Sequence, residues 1–253
     1  MEQLDELAEI VRFHAPIVAF TGAGISTESG IPDYRGPQGL WTTGTQKPFT
    51  YDEFMRDPEA RTRWWRDLPQ RLEQARAQRP NTGHAALVNL QQAGVLAWII
   101  TQNIDGLHRS AGADPQRLIE LHGNTTTIRC TQCGTVYDGR EFVEDHRHLD
   151  APPPCPNCGG IVKSGTVAFG QSLPQDQLQL AFAVARETGV MLVVGSTLLV
   201  NPAAQVPAYA QQFGAYLAIV NAGETALDGE ADFVLDAPSG AALTYLTERL
   251  LAS

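Results

Sequence analysis

Four apolar runs punctuate the chain: Ile17–Phe20, Val95–Ile100, Met191–Val194 and Leu217–Val220. Each is short and uncharged, the pattern of a strand buried on both faces and not of one lying on water. A weaker fifth run spans Asp232 to Leu235. Between them the spacing turns helical. His84–Gln92 closes on Gly94 and Gln177–Arg186 on Gly189, and glycine is the usual residue just past a helix end. Near the start, Leu4, Leu7, Ala8 and Val11 trace one helical stripe.

Strands alternating with helices predict an α/β fold built on a Rossmann-like, doubly wound parallel sheet. The four strong runs end in small or polar clusters: Thr21-Gly22-Ala23-Gly24, Thr101-Gln102-Asn103-Ile104-Asp105, Gly195-Ser196-Thr197 and Asn221. Ligands bind beyond the carboxyl ends of such strands, so these clusters are expected to meet at one site. Two segments break the alternation. Residues 32–80 carry aromatics and prolines without a strand pattern, and residues 124–164 hold all four cysteines. The expected organisation is a larger domain over 1–31, 81–123 and 165–253, with a smaller zinc-binding domain formed by the insertions 32–80 and 124–164.

Composition narrows the function classes. The formal charge is −10, and 43% of the residues are apolar. An acidic chain lacks the basic face that nucleic acid binding requires. No apolar run reaches the roughly 18 residues of a membrane span. Glu2, Asp5, Glu6 and Glu9 exclude a leader peptide over Met1–Phe13. A soluble, cytoplasmic protein that binds neither nucleic acid nor membrane is expected.

Cys130-Thr131-Gln132-Cys133 and Cys155-Pro156-Asn157-Cys158 form paired knuckles. Residues 134–154 separate them, slightly more than the roughly 15 to 20 usual between such pairs. The pattern suits one structural zinc ion held by Cys130, Cys133, Cys155 and Cys158, each knuckle giving two thiolates from a tight turn. Two disulfides or a redox dithiol are the alternatives. An intracellular chain disfavours the first, and a matched pair of knuckles disfavours the second.

Gly22-Ala23-Gly24 after a strand suggests a turn whose bare backbone approaches a diphosphate. It departs from the dehydrogenase fingerprint: Thr27 stands at the third glycine, and no acidic strand end follows at the required distance. The longer context is more specific. Gly22-Ala23-Gly24-Ile25-Ser26-Thr27-Glu28-Ser29-Gly30-Ile31-Pro32-Asp33-Tyr34-Arg35 resembles the signature of the sirtuin family. Thr101–His108 and Leu121-His122-Gly123 resemble its second and third motifs, and Phe169-Gly170, Gly195-Ser196-Thr197 and Asn221 follow in order. The resemblance covers nearly the whole chain. Two positions depart from many members, Tyr34 for Phe and Gln171 for Glu. The run Asp33–Pro37 with Trp64-Trp65 resembles the branch that contains one mitochondrial member and its bacterial relatives.

The resemblance implies an NAD-dependent protein lysine deacylase with NAD as co-substrate and acylated lysines of proteins as partners; NAD-dependent ADP-ribosyl transfer is the alternative on the same fold. It further implies His122 as general base and Asn103 as the group orienting the ribose. Gly22, Ala23, Gly24, Ser26 and Arg35 are expected at the diphosphate. Ile31, Asp33 and Asp105 are expected at nicotinamide, with Tyr34 over the ribose. Gln102, Gly195, Ser196, Thr197, Asn221 and Ser239 are expected at the ribose and adenine. A helix cap is the plainer reading of Asp105.

The resemblance also places an extended peptide against Thr166–Gly170, as an added strand. Val167 offers its carbonyl to the lysine, and Phe169 lines the acyl tunnel. Sirtuins that favour succinyl- or malonyl-lysine resemble one another in a Tyr-x-x-Arg pair on a small-domain helix. Aligning Phe54–Glu59 with that helix puts Trp65 and Leu68 at those positions, where neither can pair with a carboxylate. Neutral acyl groups packed on Trp65 and Phe169 are therefore expected.

Overall fold

The computed structural model describes residues 2–33, 39, 43–44 and 50–252. In chain order its strands are β1 (Ile17–Thr21), β2 (Leu96–Thr101), β3 (Leu118–Glu120), β4 (Thr127–Cys130), β5 (Val136–Asp138), β6 (Val162–Ser164), β7 (Val190–Val194), β8 (Tyr216–Asn221) and β9 (Phe233–Asp236). The helices are α1 (Glu2–His14), α2 (Tyr51–Arg56), α3 (Pro58–Ala77), α4 (Thr82–Gln92), α5 (Leu107–Ser110), α6 (Gly139–His146), α7 (Gln175–Glu187), α8 (Gln205–Gln212) and α9 (Ser239–Leu251).

Six strands form one parallel sheet in the order β3-β2-β1-β7-β8-β9. The alternation of side chains explains the unbroken apolar runs. Ile17 and Ala19 of β1 join Leu192 and Val194 of β7 in a core shared with α1, α4 and α9. Val18, Phe20, Met191 and Val193 point the other way, into a core shared with α7 and α8. Every residue of β1 and β7 is buried, since helices cover both faces. The predicted doubly wound α/β sheet is thus present.

The chain winds outward from the centre in both directions, so the connection reverses between β1 and β7. At such a switch point the loops leaving neighbouring strands diverge to opposite faces and open a crevice. Here those loops begin at Gly22 and Gly195.

A second, smaller core lies apart from the sheet. Phe54, Trp64, Trp65, Leu68, Leu72, Ile128, Phe142, Val143 and Val162 are buried together with Cys130 and Cys155. Strands β4 and β6 of the antiparallel sheet β5-β4-β6, the helices α2, α3 and α6, and the loop holding Cys155 supply these residues. Asp57 caps α3 by accepting from the Glu59 amide at 2.8 Å, and Pro58 occupies its first turn, where a missing N–H costs nothing.

Candidate active site

The two central loops interlock. The Gly24 amide donates to the Gly195 carbonyl at 2.8 Å, and a Cβ on Gly22 would fall 2.6 Å from that same oxygen. Gly195 has φ of +60°, and a Cβ there would come within 2.3 Å of the Ile25 nitrogen. These glycines are required by the packing of one loop on the other, before any ligand is considered.

Beyond the interlock lies a cavity of about 860 Å³, within the range of small-molecule and cofactor sites. It brings together Gly22, Ala23, Gly24, Ser26, Ile31, Asp33, Gln102, Asn103, Asp105, His122, Val167, Phe169, Gly195, Ser196, Thr197, Asn221 and Ser239. Tyr34 and Arg35 lie outside the described residues. Trp65 is not brought to the cavity. It is 4% exposed within the smaller core, and its indole N–H donates to the Leu149 carbonyl at 3.0 Å. The helical phase that buries Trp64 turns Trp65, Leu68 and Leu72 inward with it, so the expectation of an acyl contact from Trp65 is corrected. Arg63 and Arg66 are exposed, and Arg63 pairs with Asp57.

His122 follows the edge strand β3. Its Nδ1 lies 2.8 Å from the Gln102 carbonyl, an oxygen that can only accept, so Nδ1 carries the proton and Nε2 stays basic. Burial lowers its pKa below the ordinary histidine value, and the bond to Gln102 offsets part of that shift. A ring held neutral and oriented can take a proton near neutral pH.

Asn103 is buried at the end of β2, and its amide donates to the Gly22 carbonyl at 3.0 Å and to the Ser26 hydroxyl at 3.2 Å. Ser26 in turn donates to Asp105 at 2.7 Å. The other Asp105 oxygen accepts from the Leu107 amide at 2.8 Å, so this side chain also caps the turn into α5. Gln102 donates to the Ser196 hydroxyl at 2.8 Å, joining the β2 and β7 loops. Ser239, at the start of α9, is buried beside the cavity with no partner for its hydroxyl among the described residues.

Deeper still, His84 and His108 stand with rings 4.9 Å apart. His108 bonds the Thr21 hydroxyl at 2.8 Å, and burial pushes its pKa down to about 3. His108 is therefore a neutral support beneath the site, and burial lowers the pKa of His84 as well. Sequence reasoning missed Glu28, Leu173, Gln175 and Val200, which also line the cavity. Glu28 accepts from the Gly240 amide at 2.9 Å, tying the first loop to α9. Its place inside the matched motif was the one signal available.

The cysteines meet as the knuckle spacing requires. All four sulfurs lie within 4.8 Å of one another, with Cys130–Cys158 at 3.6 Å and Cys133–Cys155 at 3.8 Å. Zinc bonded to four tetrahedral thiolates at about 2.3 Å sets sulfur–sulfur edges near 3.8 Å, so the group fits zinc and not disulfides. With four protein ligands the shell is closed, and its role is structural.

Comparison with known proteins agrees with this geometry. The model of the Sir2 family matches residues 22–202. An NAD-dependent protein deacetylase of Bradyrhizobium diazoefficiens is 42% identical over 92% of this chain and 90% of its own. An NAD-dependent protein deacylase of Aeropyrum pernix is 42% identical over 93% and 92%. A solved Sir2 complex with a p53 peptide and NAD+ shares 34% identity, covers 98% of each chain and superposes with a TM-score of 0.82. The chain belongs to the Sir2 family.

Proposed function

We propose that this chain removes neutral acyl groups from lysine side chains of proteins, consuming NAD and one water and yielding nicotinamide, acyl-ADP-ribose and free lysine. The observation that carries the reading is His122, a neutral and oriented base, in one cavity with the interlocked glycine loops. Relatives named as NAD-dependent deacetylases and deacylases over nearly their full length support it. The assignment of 32–80 and 124–164 to the smaller domain, and of the remainder to the larger, belongs to the same reading.

NAD, when bound, supplies an electrophilic ribose carbon and a leaving nicotinamide. The residues of this chain do the rest. Gly22, Ala23, Gly24 and Ser26 would offer backbone and hydroxyl to the diphosphate. Gln102, Gly195, Ser196, Thr197, Asn221 and Ser239 would take the ribose and adenine end. Ile31, Asp33 and Asp105 would seat the nicotinamide, Asn103 would orient the ribose, and His122 Nε2 would take a proton from its hydroxyls. Val167 and Phe169 form the wall for the acyl-lysine.

The acyl preference rests on what lines the cavity. Ile104, Val167, Phe169, Leu173 and Val200 are apolar, Glu28, Asp33 and Asp105 are acidic, and no Lys or Arg lines it among the described residues. A carboxylate on the acyl group would lose its water and meet no cation among the described residues, a loss of several kcal/mol. On one peptide carrying acetyl-, butyryl- or succinyl-lysine, kcat/KM should be at least about a hundredfold lower for succinyl. Succinyl turnover equal to that of the neutral groups would refute the preference.

A further inference from the structure

Lys163 on β6 is 6% exposed, and its ammonium meets no carboxylate among the described residues. It donates to two backbone carbonyls, Ser164 at 2.8 Å and Thr166. Burial, with Arg129 opposite it in the sheet, pushes the amine down to about 8. An unpaired buried cation opposes folding, and an apolar residue would fill the space without that cost. Its compensating contribution is local: a link between two carbonyls of one turn.

That turn leads into the wall of the cavity. The Gly165 amide donates to Thr127 at 2.7 Å, and the Val167 amide donates to the carbonyl of His122 itself at 2.8 Å. Phe169 accepts from the Tyr51 amide at 2.8 Å. Gly165 and Gly123 are wedged together, since a Cβ on Gly123 would lie 2.1 Å from the Gly165 carbonyl. The chain therefore leaves and re-enters the larger domain at one locked crossing, and the Lys163 ammonium fastens the re-entering strand just before it meets His122.

We propose that Lys163 is a positioning residue for the acyl-lysine substrate: its ammonium holds the Thr166 carbonyl so that Val167–Phe169 present their backbone to the peptide beside His122. The inference rests on the reading that residues 166–170 form the substrate wall.

The test uses the full-length, zinc-loaded protein and its Lys163→Met and Lys163→Arg variants. Steady-state constants are measured for an acetyl-lysine peptide and for NAD, together with zinc content and amide exchange over residues 164–170 with and without peptide. Lys163→Met should raise the peptide KM roughly tenfold while the NAD KM stays within about twofold, and Lys163→Arg should recover most of the loss. An unchanged peptide KM would overturn the proposal. So would zinc loss, misfolding or a parallel rise in both KM values, each of which marks Lys163 as merely structural. If peptide does not slow exchange over 164–170 in the unmodified protein, the wall reading itself fails. If it does and Lys163→Met behaves normally, only the role of Lys163 fails.

Discussion

The imidazole of His122, proposed as the base, is under two opposing influences. Burial disfavours the imidazolium, while the Gln102 carbonyl holds Nδ1–H and leaves Nε2 free. Neutral imidazole is the active form, so a lowered pKa keeps it active as the pH falls past the ordinary histidine range. The acid limb of kcat/KM should therefore lie below 6.5. Replacing His122 with Ala should cut turnover by about 10²- to 10⁴-fold while NAD binding and folding persist. Near-normal turnover in that variant, or an acid limb above 7, would remove His122 from the mechanism. At this scale the sequence was informative about identity and silent about wiring. Asp105 and Ser26 stand in the cavity where their motifs put them, yet the bond between them is seen only in three dimensions. Asp105 also caps a helical turn, so its plain reading as a cap is present in the structure.

Elements were legible where they were long. The five apolar runs of the large sheet match β1, β2, β7, β8 and β9 to within a residue or two at each end. The three-residue strands β3, β5 and β6 escaped, because so short a segment shows no period and takes its extended form from its neighbours. Trp65 was misplaced for a related reason: the phase of α3 shows which residues share a face but not which core that face enters. In the second, smaller core the knuckles carry the packing. Cys130 and Cys155 are buried members of it, and the Gln132 and Cys133 amides point at the Cys130 sulfur at 3.4 and 3.5 Å. Cys130→Ser should abolish stoichiometric zinc and unfold this core, because metal binding and folding are coupled. Elemental analysis together with thermal unfolding checks it. A variant with full stability and activity would show that the four sulfurs do not hold a needed metal.

The whole molecule turns these parts into one site. The reversal of strand order between β1 and β7 opens the crevice, and the interlocked Gly22 and Gly195 loops shape its floor. Gly123 and Gly165 cross closely beside it. Strand order was not readable from the apolar pattern, since buried parallel strands look alike whichever neighbours they take. The central claim is transfer of an acyl group from lysine to the ribose of NAD, and one measurement reaches it directly. The zinc-loaded protein is incubated with NAD and an acetyl-lysine peptide, and the products are resolved by mass. Nicotinamide, acetyl-ADP-ribose and the free-lysine peptide should appear in equal amounts, with none formed from the unacylated peptide. Peptide carrying ADP-ribose, or nicotinamide released equally without an acyl group, would contradict the account.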